Sequence, residues 1–231
     1  LLYVSSYVQK ETPNIDALLA EYGIGFEAGI VEDEDQNNLM AIDSQGQSYG
    51  VLAAIDNETY SVGLQNSKLP VVVPYSRPIK LLFDSKDSRT TESILKTKET
   101  GFIRPLDADQ NTKIETLPHG ACNVMAIGSK YIFDDKSKKI TSNIFTIGSV
   151  QVFTNALTSS KNLNNGEYVL NTMNKLTGKE NSISIVPKDL TATTLEMTQA
   201  QQSTISNIVV LFVPIIIIIV GIFVWARRRN R

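Results

Sequence analysis

One cysteine and one histidine occur in the 231 residues, and that scarcity excludes a good deal. A single thiol cannot build an intrachain disulfide framework, and one Cys with one His leaves too few soft ligands for a structural zinc site. A Ser-His-Asp triad could use only His119, and no G-x-S-x-G elbow is present to carry its serine. An excess of positive charge is missing as well. The whole chain carries −2, and a nucleic-acid partner would need a basic face. No internal repeat or low-complexity array is visible.

What the chain does have is a long hydrophobic run at its end, "NIVVLFVPIIIIIVGIFVWARRRNR". From Ile208 to Ala226 no side chain is charged or strongly polar. As a helix that stretch is roughly 28 Å long, close to the ~30 Å hydrocarbon core of a bilayer. A buried core helix is the alternative reading, but a run apolar on every face that ends in Trp225 and four arginines fits a membrane span better. Pro214 and Gly221 are both better tolerated in a membrane helix than in a soluble one. In lipid every backbone group must be bonded internally, which selects a helix even for β-branched isoleucines.

Arg227, Arg228, Arg229 and Arg231 follow the span directly, whereas the nearest basic residue upstream is Lys188, about twenty residues before it. The positive-inside rule therefore puts the C-terminus in the cytoplasm and the preceding residues outside. Setting those four arginines aside leaves 18 basic residues against 24 acidic ones, so the outer portion carries −6. "LLYVSSY" does not have the form of a signal peptide, and the expectation is a processed chain or a part of a longer one. Four regions are expected: an extracytoplasmic α/β domain over 1–190, a polar connector and helix extension over 191–206, the span over 207–226, and a basic tail over 227–231.

Within the outer portion, "PNIDALLAEYGI" places Ile15, Leu18, Leu19 and Tyr22 on one helical face, with Asn14 as N-cap and Gly23 as stop. "LPVVVPYSRPIKLLF" is β-branched but broken by prolines, the mark of an edge or bent strand. "ACNVMAIGS" and "SNIFTIGSVQVF" read as buried strands stopping at Gly-Ser, the second followed by a short helix. "GEYVLNTMNKLTG" repeats Tyr168, Val169, Met173 and Leu176 at helical spacing before Gly178. "SISIVP" adds a further short strand. Strands alternating with helices predict an α/β layered sheet. "VEDEDQNN" (31–38) and "DSKDSRTTES" (84–93) are polar and aperiodic, so both are expected to be solvated loops.

The acidic clusters fail as EF-hands. From Asp33 the spacing gives Asp35 and Asn37, but Asn38 replaces the glycine and Ser44 the bidentate glutamate. Counting from Asp107 puts Thr112 and Pro118 at those two places. "GIGFEAG" follows a helix, and its third glycine falls one position late for a dinucleotide loop. In "LPHGACNV" the segment after Cys122 continues into a strand instead of turning, so Cys122 reads as a semi-buried strand residue, not a nucleophile. "NET" at 57–59 matches the N-glycosylation sequon. No catalytic, cofactor-binding or metal-binding residue is assigned.

The order of these motifs resembles the C-terminal half of the GldG-like family, extracytoplasmic auxiliary components of bacterial ABC-type transport systems, first associated with gliding motility. The resemblance rests on "PNIDALLAEYGI", "VVVPYSRPI", "SILKT", "FTIGSVQVFTN", "YVLNTMNKLTGKENSISIVPK" and a terminal Pro-containing span followed by "RRR". It implies a flavodoxin-like or amidotransferase-like α/β sheet, tethered by one C-terminal helix beside a permease and an ATPase, with more of the sheet and another span upstream. It also implies a non-enzymatic role in presenting substrate or holding the complex together. A stand-alone surface binding or adhesion protein is the alternative.

Overall fold

The computed structural model describes residues 1–43, 48–64, 66, 68–108, 112–179 and 197–229. Its strands, in chain order, are β1 Leu2–Val4, β2 Ile24–Phe26, β3 Ile30–Asp33, β4 Leu39–Ala41, β5 Tyr49–Ile55 and β6 Val71–Pro74. They continue with β7 Ile79–Leu81, β8 Ser85–Lys86, β9 Arg89–Lys96, β10 Gly101–Arg104, β11 Asn123–Phe133 and β12 Lys139–Ile147. The helices are α1 Pro13–Glu21, α2 Asn155–Thr158, α3 Asn165–Leu176, α4 Gln199–Asn207 and α5 Val213–Arg229.

The body is mixed α/β, as expected. Its main sheet runs β1-β12-β11-β9-β5-β4, and β2, β6, β7 and β8 join from the side. The β1–β12 pairing is parallel and the other pairings are antiparallel, whereas the expected flavodoxin-like arrangement would be a parallel sheet, so what holds is the mixed α/β class. A register shift between Asn123 and Ala126 bends β11 enough for it to meet both β9 and β7, which curls the sheet. β3 and β10 form a separate two-stranded sheet.

The apolar runs "VMAI" and "IFTI" have no polar alternation because the sheet is covered on both faces. Ala126 and Ile144 turn towards α1, packing with Leu19, Ile24 and Ile79. Met125, Ile127, Phe145 and Ile147 turn the other way, towards Tyr168 and Val169 of α3. Each fully buried side chain of that size contributes on the order of 2 kcal/mol, so this central pair of strands is the main source of cohesion.

Several local expectations are corrected. The N-cap of α1 is Thr12, with Pro13 in the first turn. The Asp16 carboxylate accepts from the Thr12 backbone N–H and hydroxyl, so Asn14 has no capping role. Gly23 does end the helix, at φ +75°. Of the expected helix face, Leu19 is buried while Ile15 and Leu18 are exposed. β11 does not stop at Gly128-Ser129 but continues to Phe133. Gly128 is small because the Tyr22 backbone crosses the strand there. Both expected loops contain ordered strands. Residues 30–38 form β3 and a 3-10 turn, and 85–96 form a hairpin whose tight turn sets Asp87 at φ +54° and pairs it with Arg89.

β6 is the expected edge strand, paired with β5 alone, yet all four of its residues are buried. "SISIVP" lies outside the described residues. The connector becomes helical at Gln199, where Thr198 and Gln201 form a reciprocal capping box. From there one continuous helix runs from Gln199 to Arg229, long and apolar enough to cross a membrane, with its large apolar side chains exposed along that part. A π-turn at Ile208–Phe212 ends two residues before Pro214. Proline has no N–H and its ring crowds the preceding turn, and a widened turn relieves both.

Candidate functional site at the foot of the body

The sequence-derived positions of the span lie along the exposed helix. Ile208 opens the π-turn, Pro214 follows it, Gly221 has open space around it, and Trp225 sits at the end with the Arg229 guanidinium 5.3 Å from its ring. Arg227 and Arg228 complete the last turn. These residues lie on a helix long and apolar enough to cross a membrane and carry no site chemistry. Their importance is where the helix begins.

At its N-terminus the helix is tied to the body. Thr198 forms a β-bridge with Met40 of β4, and α4 packs on the 3-10 turn at Gln36–Asn38. Gln199 lines a cleft of about 420 Å³, inside the range of roughly 300–1,000 Å³ typical of small-molecule sites. The walls of that cleft come from the two-stranded sheet and the start of β5, and the segment expected to be a solvated loop supplies most of its charge.

β3 and β10 are in register, with Glu32 opposite Phe102 and Asp33 opposite Gly101. Arg104 reaches along the ladder and holds Glu32 in a fork. Its Nε donates to both carboxylate oxygens at 2.9 Å, and Nη2 lies 2.9 Å from Oε2. A planar guanidinium on a carboxylate fixes both side chains, because the geometry is met only in one orientation. Asp33 is buried at the end of β3, and Thr100, Asn38 and the Asp35 N–H all donate to its Oδ1. Asn38 also donates to Thr100 at 3.1 Å, which closes the network.

Tyr49, Tyr75 and Phe102 line the cleft with aromatic surface. Tyr75 has φ +45°, a conformation that costs a bulky residue on the order of 1 kcal/mol and is kept where surrounding structure fixes it. Here the chain leaves β6 at Pro74 while the Ser149 hydroxyl donates to the Pro74 carbonyl and Arg77 N–H donates to Gly148. Tyr75 also stacks on Tyr7 at 5.7 Å.

His119 and Cys122 are not brought together as a catalytic pair. His119 Nε2 is 3.3 Å from Glu34, and its ring packs on Phe102. Cys122 is half-buried at the mouth of β11, its thiol 3.5 Å from the Gly120 carbonyl. Burial pushes its pKa up, only partly countered by Thr97, and a protonated thiol is a poor nucleophile. Asn57 of the sequon is committed to the body. It caps a 3-10 turn through Oδ1, and its Nδ2 donates to Glu92 at 2.6 Å.

No family model matches the chain, and no curated protein matches it. The site therefore rests on its geometry. Glu32, Arg104 and Tyr75 were not singled out by the sequence, and Asp33 was weighed only as a first EF-hand ligand and set aside. The available signal was β-like alternation in "IVED", with Val31 and Asp33 both buried and Glu32 between them less so, but the four consecutive acidic residues Glu32 to Asp35 read as solvent-facing.

Proposed function

We propose that this chain is a non-enzymatic, membrane-anchored extracytoplasmic component of a bacterial ABC-type transport system, its C-terminal helix packed on a permease that works with an ATPase partner. The observation that carries the reading is continuity: Gln199 both lines the cleft and opens the helix that runs to Arg229. A ligand in the cleft touches the element that meets the membrane, which suits a component that presents a solute to a transporter. The arginines at the end of the helix favour a cytoplasmic C-terminus, leaving the cleft outside. The raised thiol of Cys122 and the engagement of His119 with Glu34 support a binding role over a hydrolytic one.

One observation favours the stand-alone surface protein. Ile132, Phe133 and Ile140 are exposed at the tip of the β11–β12 hairpin, a small apolar patch of the kind that marks contact sites. Co-purification from mild detergent separates the two readings. A permease and an ATPase are expected to come down with the chain, and substitution of Ile215 to Ile222 by Leu or Phe is expected to weaken that association on one side of the helix only. Recovery of the chain without either subunit, or indifference at every position, would remove the transporter role.

A further inference from the structure

β12 pairs with β11 over its whole length, but on its outer edge β1 covers only Phe145–Ile147. There the Phe145 N–H donates to the Leu1 carbonyl, the Leu1 amine to the Asn143 carbonyl, and the Ser5 N–H to the Ile147 carbonyl. Backbone groups alternate in direction along a strand, so the odd-numbered residues of β12 are the ones that face outward. Thr141 therefore turns its N–H and C=O away from β11, and among the described residues neither has a partner. Lys139 to Ser142 are all exposed. An open edge of this kind is a template for another strand.

The side chains beside the edge are sorted by face. Ile132 and Ile140, both exposed, stand opposite each other on the face that α1 covers further along the sheet. On the other face Tyr131 meets Phe133 edge-on at 5.9 Å, and the Lys139 ammonium lies 4.3 Å from the centre of the Tyr131 ring. Residues 134–139 carry three lysines against two aspartates, a positive spot on an acidic body. The Asp134 carboxylate accepts from the backbone N–H groups of Lys136 and Lys138 and so serves the turn itself. Among the described residues none of the three lysines forms an ion pair.

A lipid surface fits this hairpin poorly. Its apolar side chains sit behind a charged turn instead of at the tip, and lipid would leave the outward backbone of Thr141 unpaired. β5 meets β9 at Leu95 and Lys96, opposite the first residues of β11. The strands that hold the helix thus lie at the other end of β11, roughly 30 Å along it from the turn. A second copy of the chain would bring the same lysines to the edge, and like charges side by side oppose pairing.

We infer that the outer edge of β12, from Lys139 to Ser142, takes up an extended acidic segment of a partner protein as an added strand. Main-chain hydrogen bonds to Thr141 hold it, and alternation sets its apolar side chains beside Ile140 and its carboxylates beside Lys139. This surface lies apart from both the cleft and the helix, so it stands or falls independently of the transporter reading.

The test uses the full chain in detergent, with a fluorescein-labelled octapeptide of alternating valine and glutamate as probe and one of valine and lysine as control. Anisotropy is expected to show saturable binding of the acidic peptide and about tenfold weaker binding of the basic one. Methylating the backbone nitrogens of either the glutamates or the valines removes one row of donors and keeps every side chain. One of the two methylated forms is expected to lose binding and the other to keep it. Thr141→Pro removes only an outward N–H, which an edge strand tolerates, and is expected to weaken the acidic peptide by about tenfold. Lys139→Glu, at an exposed position, is expected to weaken the acidic peptide about fivefold and to strengthen the basic one. Thermal unfolding checks that both variants are folded. No saturable binding by the unaltered chain, equal binding of the two methylated forms, or unchanged affinities in a folded Lys139→Glu chain overturns the inference. Phe133→Trp in a Trp225→Phe background tests the lipid alternative in nanodiscs of brominated phosphatidylglycerol. Its fluorescence is expected to stay unquenched, and quenching would assign the hairpin to the bilayer and overturn the added strand.

Discussion

Asn165 does for β6 what a neighbouring strand would do. Its Oδ1 accepts from the Val72 N–H at 2.9 Å and its Nδ2 donates to the Val72 carbonyl at 2.7 Å, so one amide side chain closes the outer edge of a buried strand. Asn164 and Asn171 work alongside it, donating to the carbonyls of Asn66, Leu69, Tyr60 and Val62. Asn165→Ala removes both partners of Val72 while leaving that backbone buried, which is the expensive way to lose a hydrogen bond. A loss of about 3 kcal/mol is expected, against about 1 kcal/mol for Asn171→Ala, whose acceptors are nearer solvent. Thermal unfolding of the two variants side by side checks the order, and equal effects would show that edge closure is not what Asn165 contributes. None of this was legible in "NNGEYVLN", where the helical periodicity of Tyr168, Val169 and Met173 stood out and the asparagines were given no role. The same blindness hid the cleft. Asp33 and Asn38 look solvent-bound in isolation, because the group that lets them be buried, Thr100, is 67 residues away from Asp33 in sequence.

Elements were more readable than their partners. α3 and the second buried strand have the ends their glycines announce, and the run of β-branched residues interrupted by prolines became an edge strand. What failed were boundaries set by contacts from outside the element, such as β11 running on past Gly128 beneath Tyr22. The π-turn at Ile208–Phe212 belongs to the same level. Pro214 was read simply as tolerated; the structure shows the helix accommodating it with a wider turn. Each residue added to a helical turn rotates everything beyond it by about 100°, so the turn sets which side of Ile215 to Ile222 faces the same way as α4. Pro214→Ala restores the missing N–H and allows the turn to tighten. In that background the positions sensitive to Leu or Phe are expected to move by one residue along the span, with anchoring unchanged. An unmoved pattern in the same co-purification scan would mean that the turn is held by the isoleucines and not by the proline.

At the scale of the molecule, charge is distributed as the proposed orientation, with the body outside and the C-terminus in the cytoplasm, would require. The body carries the acidic excess, including the cleft, and the arginines are gathered beyond Trp225 at the far end of the helix. In the proposed orientation each basic residue beside an anionic leaflet would contribute about 1 kcal/mol, so Arg227, Arg228 and Arg229 together would bias it by about 3 kcal/mol. The capping box at Thr198 orders the start of the helix without selecting a side. Replacing the three arginines by Asn is therefore expected to leave the chain in the membrane but reduce the share of bodies facing outward. Protease access to the body in intact spheroplasts reads that share directly. A drop in surface-accessible body at constant membrane content supports the arginine stop as the orienting device. Unchanged access would transfer that role to the folded body, whose acidic surface and bulk would then be what holds the cleft outside.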